Sequence, residues 1–258
     1  MLTSRPRVLC LSGHDPSGGA GIHADLEAIA AQGAHALTVI TALTVQDSGN
    51  VRRVLPQPPA QVAEQVELLL ADGPVAAVKI GLIGDAALLP VLVDVIRRAG
   101  VPAICDPVLR AGGGTDLSDA NLRAGLIEQL LPQLALLTPN AAEARRLMPD
   151  APDLPAAAAR LAAAGCRQVL ITGGDEPGLD IQNLWRDGAG TLHTLRSPRI
   201  DARFHGAGCT LAAAIAGRIA VGDDWGQAIA RAQDYTHGTL AAAYAAGQGR
   251  LIPKRHLT

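Results

Sequence analysis

One short stretch of the sequence places a thiol where a protein chain can also hold an anion. In "FHGAGCTLAAAIAG" (204–217), Cys209 follows Gly206, Ala207 and Gly208 and opens an Ala-rich run. A glycine-rich turn that runs into a helix leaves N–H groups unpaired, and the helix dipole adds positive potential. Such a turn receives an anion. It also predicts a lowered pKa for a thiol held there. The competing reading is a tight turn with a buried cysteine.

Four other polar clusters interrupt apolar runs: "SGHDPSGGAG" (12–21), "TVQDSGN" (44–50), "CDPV" (105–108) with "TPNAAE" (138–143), and "TGGD" (172–175). The first has glycines at 13, 18, 19 and 21, which fit neither GxGxxG nor GxxxxGK[ST]. It reads as a tight turn whose small residues let a flat ligand approach the backbone. Asp106 and Glu143 follow two apolar runs. Either could hold Mg²⁺ directly or through water, as suits a hard cation near phosphates. The alternatives are a turn cap for Asp106 and a solvated helix position for Glu143. Asn140 has the position of an N-cap for a helix starting near 141.

Alternating strands and helices must position these clusters. Strands are predicted over 7–13, 36–46, 75–81, 101–107, 134–140 and 167–174. Helices are predicted over 21–33, 59–73, 85–100 (with Pro90 as a kink or boundary), 118–133, 141–148, 153–165, 208–221 and 225–246. The runs at 180–188 and 189–200 read as an antiparallel hairpin around "RDGAG". Repeated strand–helix units imply an α/β fold with a mostly parallel sheet and helices on both faces. In such sheets ligands bind beyond the carboxyl ends of the strands, where the polar clusters fall. No repeat, linker or charge block divides the chain, so 1–258 reads as one domain.

Composition narrows the function classes. Lys and Arg total 22 against 24 Asp and Glu, and aromatic residues make up 2%. Nucleic-acid binding, which draws on basic surface and stacking platforms, is not expected. The apolar run after Arg7 is too short for a leader, and none reaches the roughly 20 residues of a membrane helix. A cytoplasmic protein is expected. Cys10, Cys105, Cys166 and Cys209 form no CxxC pair, so a zinc site is not expected, and the first three read as buried core thiols.

Taken in order, "SGHDPSGGAGI", "ITALTVQ", "KIG", "DPV", "TPNAAEA", "GG" and "HGAGCTLAAA" resemble the hydroxymethylpyrimidine/phosphomethylpyrimidine kinases, of the ribokinase-like superfamily. The resemblance runs from about residue 7 to 245. It implies a ribokinase-like sheet without a Walker motif. It implies transfer of the γ-phosphoryl of ATP, with Mg²⁺, to 4-amino-5-hydroxymethyl-2-methylpyrimidine and then to its monophosphate. By motif it makes Gly206, Ala207 and Gly208 an anion hole and Cys209 the catalytic base. It puts Gln46 on the pyrimidine edge, and Gly13, Asp15, Gly19, Leu82 and Val108 on the substrate side. Asn140, Thr172, Gly174 and Thr210 fall on the nucleotide and phosphate side, with Asp106 and Glu143 at the metal. It also implies a homodimer.

The chain departs from the family's pattern at Leu82, where Met is frequent, and at His14, where Thr or Ser is frequent. "TGGD" stands where "KGGH" is common, so Thr172 lacks the usual cation and Asp175 adds an opposite charge. Related sugar and pyridoxal kinases have Asp at the Cys209 position. A neutral thiol there would spare an arriving monophosphate the repulsion of a fixed carboxylate, which would permit the second phosphorylation. The alternatives are a pyridoxal or pyridoxine kinase, and a non-catalytic pyrimidine or nucleotide binder.

Overall fold

The computed structural model describes residues 4–256; the first three residues of the N-terminal segment read above for a leader lie outside them. The strands are β1 (Arg7–His14), β2 (His35–Gln46), β3 (Val51–Pro56), β4 (Ala77–Ile80), β5 (Ala103–Cys105), β6 (Leu136–Leu137), β7 (Val169–Ile171), β8 (Asp180–Arg186) and β9 (Leu192–Pro198). They form one sheet in the order β3-β2-β1-β4-β5-β6-β7-β8-β9. Pairing is parallel from β2 to β7, and β3, β8 and β9 are antiparallel at the two edges. The order reverses between β1 and β4, which opens a crevice beyond their carboxyl ends.

The helices are α1 (Gly21–Ala31), α2 (Pro59–Ala71), α3 (Leu89–Ala99), α4 (Ala120–Gly125), α5 (Ala141–Leu147), α6 (Leu154–Ala163), α7 (Ala207–Ala220) and α8 (Trp225–Ala241). Successive β1 side chains point to opposite faces, and both faces are covered, which is why that run is apolar throughout. Leu9 and Leu11 pack with Val62 and Val66 of α2 and Leu92 and Val95 of α3. Val8 and Cys10 pack with Ala28 and Ile29 of α1 and with Ala212–Ala216 of α7. A methyl group added at Gly217 would stand 2.9 Å from Gln32 Cβ, so α7 needs its small residues to approach α1 this closely. Cys10, Cys105 and Cys166 are free and buried.

Several expected bounds are corrected. "VRRVLP" is β3, an antiparallel edge strand that was not expected, so the last four residues of "TVQDSGN", from Asp47 to Asn50, form a hairpin turn at the sheet's rim. Its exposed Arg52 and Arg53 hide the period-two signal from a reading of apolar runs. The helix expected over 118–133 is short: α4 gives way to a π turn (Leu126–Leu130) and a 3₁₀ turn (Leu131–Gln133). Pro90 lies in the first turn of α3, where its missing N–H loses nothing. The last helix ends at Ala241, and the chain returns along Phe204 and Tyr244 through short bridges with Leu251 and Ile252.

Candidate active site

The carboxyl edge of the sheet carries the expected residues in strand order. Gln46 closes β2, and Gly13 lies in β1 one residue from its end. Leu82 follows β4, Asp106 follows β5, Asn140 lies beyond β6 and Thr172 follows β7. Asn140 and Thr172 are joined by a parallel bridge. The turn into α7 faces this row: a methyl added at Gly208 would lie 3.5 Å from Asp106 Oδ2.

On the β1–β2–β4 side the floor is apolar. Leu82 packs with Ala42, Val51, Ala111 and Leu117, and Val108 joins them. A methyl added at Gly13 would lie 2.8 Å from Leu82 Cδ2, so the backbone there abuts the Leu82 side chain. Gln46 is half-buried beside this floor. Val108 has a φ of 40°, a left-handed conformation that a β-branched residue adopts only under constraint. The constraint is visible beside it: Leu109 N donates to Glu143 Oε1 at 2.9 Å.

On the β6–β7 side, Asn140 caps α5. Its Oδ1 accepts from Glu143 N at 2.8 Å, and Glu143 Oε2 accepts from Asn140 N at 3.0 Å. This is a reciprocal capping box. Glu143 therefore commits both carboxylate oxygens to backbone amides. Burial pushes its pKa up to about 8, with Asp106 adding to the rise and the two amides opposing it. The departure at "TGGD" has a local explanation: Asp175 Oδ2 accepts from Ala142 N at 3.0 Å and so adds a second cap to the start of α5. Gly173 abuts Gln182 O, with which a methyl would collide, while Gly174 borders open space. Arg199 holds the turn by donating to the carbonyls of Gly174, Glu176 and Gly178.

The central turn is fixed from below. Gly206 is left-handed (φ 85°, ψ 15°) and no side chain caps α7. Asp15 is buried and accepts from Ser17 N, Ser17 Oγ, Ala20 N and His205 Nε2, all at 2.7–2.8 Å. Burial alone would raise its pKa; the bonds from His205 and Ser17 outweigh it and hold the carboxyl far below its usual range. Asp15 thus ties the first turn to the residue preceding Gly206. Gly19 makes room for that contact, because a methyl there would strike His205 Cδ2. Thr210 is fully buried, and its hydroxyl donates to Gly206 O at 2.7 Å. It supports the turn from behind rather than facing a ligand.

Cys209 corrects an expectation. Its thiol was expected below its ordinary value of 9.0 and is instead pushed up to about 12. Burial is the chief cause and the Asp106 carboxylate the next, with Lys79 opposing them. The pKa of Asp106 is itself raised by burial, against the pull of Lys79 and of the neighbouring thiol. Lys79 and Asp25 lie beneath, both fully buried, with Nζ 2.7 Å from Oδ1 and 3.0 Å from Ser12 Oγ. Burial would lower the Lys79 pKa, but Asp25, Cys209 and Asp106 raise it. The lysine is thus a fixed cation under the site, largely balanced by Asp25. Sequence reasoning missed Lys79, Asp25, His205 and Arg255; "KIG" and "HGAG" were signals for two of them. A cavity of about 540 Å³ between Pro102, Gln168, Trp185 and Trp225 lies at the opposite, amino ends of β5–β7.

The model of a family described as phosphomethylpyrimidine kinase matches residues 15–253. The hydroxymethylpyrimidine/phosphomethylpyrimidine kinase of Rhizobium meliloti is 38% identical over 251 residues, which cover 94% of each chain. The chain belongs to the phosphomethylpyrimidine kinase family. It is a phosphotransferase of thiamine biosynthesis. The thiamine biosynthesis bifunctional protein ThiED of Geobacter sulfurreducens is 39% identical over 95% of this kinase and 51% of its own length. The ADP complex of Bacillus subtilis pyridoxal kinase superposes with a TM-score of 0.88 at 27% identity, over 98% of both chains. The kinase is therefore ribokinase-like in fold, with ATP as co-substrate. Among its described residues no helix is long and apolar enough to cross a membrane.

Proposed function

We propose that the protein moves the γ-phosphoryl of ATP to the hydroxymethyl oxygen of 4-amino-5-hydroxymethyl-2-methylpyrimidine, and then a second one to the monophosphate. The carrying observation is the placement of Gln46, Leu82 and Val108 on one side of the Gly206–Cys209 turn, with Asn140, Thr172 and Gly174 on the other, in a chain of this family. The pyrimidine rests on Leu82 and Val108 with its polar edge toward Gln46. The nucleotide lies over Asn140, Thr172 and Gly174. The amides of Gly206, Ala207 and Gly208 take the transferring phosphoryl group, where preorganised donors are worth most.

Asp106 fits Mg²⁺: a buried carboxylate with a raised pKa gains from a cation beside it. Among the described residues no group of three or more His, Cys, Asp or Glu forms a metal cage; Asp106 would hold the ion beside the phosphates, as suits a cation that keeps most of its water. Glu143, with both oxygens on amides, acts through water. When bound, Mg²⁺ neutralises charge on the phosphates.

Cys209 serves as a neutral thiol. Phosphoryl transfer has a loose transition state, so orienting the hydroxyl matters more than removing its proton early. An uncharged group also tolerates the monophosphate of the second step. The protein is cytoplasmic and binds neither nucleic acid nor membrane in this reading. A homodimer draws support from the β2–β3 hairpin, which leaves Leu43, Val45 and Leu55 each nearly two-fifths exposed on the sheet's edge; sedimentation checks it.

The resemblance in fold to pyridoxal kinase supports one other reading, phosphorylation of pyridoxal or pyridoxine. A coupled assay with ATP and Mg²⁺ compares the pyrimidine alcohol, its monophosphate and pyridoxine. Turnover of both pyrimidines above pyridoxine is expected. Turnover of pyridoxine alone overturns the substrate, and ATP consumption with none of them overturns the enzyme.

A further inference from the structure

Arg255 lies near the chain's end, after α8, yet its side chain is fully buried behind the Gly206 turn. Its guanidinium uses all three nitrogens, each on a different element. Nε donates to Thr210 Oγ1 on α7 at 2.8 Å, Nη1 to Glu27 Oε2 on α1 at 3.0 Å, and Nη2 to the Gly19 carbonyl in the first turn. Thr210 Oγ1 in turn donates to Gly206 O. Gly206 itself touches the cluster: a methyl added there would collide with Gly19 O and stand 2.9 Å from Arg255 Nη2. Tyr235 Oη donates to the Arg255 carbonyl at 2.8 Å, and Lys254 N to Thr239 O at 3.0 Å, so the tail is anchored on α8.

We infer that Arg255 is a positioning residue for phosphoryl transfer: the tail inserts a guanidinium that fixes the Gly206–Cys209 amides against the first turn. The inference rests on the reading of that turn as the phosphoryl site. Arginine suits the task because its planar fork reaches three acceptors at fixed angles, which an ammonium does not reproduce. The charge also has a local use. The turn at 172–175 has no basic residue of its own and is held by Arg199, and Lys79 is balanced by an equally buried Asp25. The Arg255 charge is buried under Gly206, whereas its partner Glu27 is over one-third exposed. A buried guanidinium thus stands under a turn that the buried Asp15 carboxylate also braces through His205.

The test is steady-state kinetics with ATP, Mg²⁺ and the pyrimidine alcohol for wild type, Arg255→Lys, Arg255→Ala and Glu27→Gln, with melting temperatures for each. Losing charge-assisted hydrogen bonds of this kind is expected to lower kcat in Arg255→Ala on the order of 10–100-fold. KM for the alcohol stays within about threefold, because the missing hydrogen bonds support the phosphoryl site rather than the pyrimidine. Guanidinium at tens of millimolar recovers part of the rate in Arg255→Ala and none in wild type. Glu27→Gln, which keeps an acceptor oxygen for Nη1 and removes only its charge, lowers kcat less than Arg255→Ala. Arg255→Lys keeps the charge without the fork and falls between wild type and Arg255→Ala; if Arg255→Ala does not fold, this variant decides, with a kcat equal to wild type refuting the idea. An unchanged kcat in Arg255→Ala, or a loss that follows melting temperature and ignores guanidinium, overturns it and leaves the tail a structural staple. Wild-type turnover separates the two readings. If only pyridoxal is phosphorylated, the substrate assignment fails and the same variants are compared on that alcohol.

Discussion

Cys209 is expected to alkylate far more slowly at neutral pH than an ordinary thiol. The thiolate is the reacting form. A rise from 9.0 to about 12 leaves about a thousandfold less thiolate at any pH well below 9. The assay is iodoacetamide labelling of enzyme freed of nucleotide and divalent cation, with peptide mass spectrometry to separate Cys209 from the buried Cys10, Cys105 and Cys166. Access affects the absolute rate but not the shape of its pH dependence. The rate should climb tenfold per pH unit from 7 to beyond 10 without a plateau. Asp106→Asn removes the second cause of the rise and should shift the profile to lower pH. A plateau between pH 6 and 8 would show a thiolate and refute both the electrostatic account and the neutral-thiol mechanism.

Gly206→Ala forces a methyl against Gly19 O at a φ of 85°; the left-handed conformation alone costs about 1–2 kcal/mol, and moving the turn should cut kcat by more than about tenfold, read by kinetics alongside melting. Lys79→Met leaves Asp25 as an unpaired buried charge and should lose about 3–5 kcal/mol in denaturant unfolding, whereas Lys79→Met with Asp25→Leu recovers most of it; equal losses in both would show that the pair is not the cause. The Asp15 pKa is depressed in the folded state, so its stabilisation is complete above the unfolded value near 3.8 and is lost as pH falls below it. Asp15→Asn should therefore flatten stability against pH below about 4, and an unchanged acid slope would contradict the Asp15–His205 assignment.

Much of the carboxyl edge was legible because its signals are local. An apolar run followed by Gly, Asp or Asn marks a strand end, and strand ends are where ligands meet such a sheet. Asn140 shows this well: it caps α5 as its position predicts, although the reciprocal bond that makes Glu143 part of the cap and the second Glu143 bond to Leu109 N were not foreseeable. β3 was missed because an edge strand with one face in water needs no apolar run. Asp15 and His205 are 190 residues apart, and Arg255 and Gly19 are 236 apart, so no window of sequence contains either pair.

The sequence by itself determined the alternating layers, the family, and the Gly-rich entry to α7 with Cys209 in its first turn. The layers and the turn follow from periodicity and short-range sterics, which act within a few residues, and the family from the resemblance of motifs taken in order. Only the tertiary structure decided the sign of the Cys209 shift. The helix start argued for a lower pKa, but the fold removes water from the thiol, which by itself disfavours the thiolate, and the Asp106 carboxylate beside it adds to the rise.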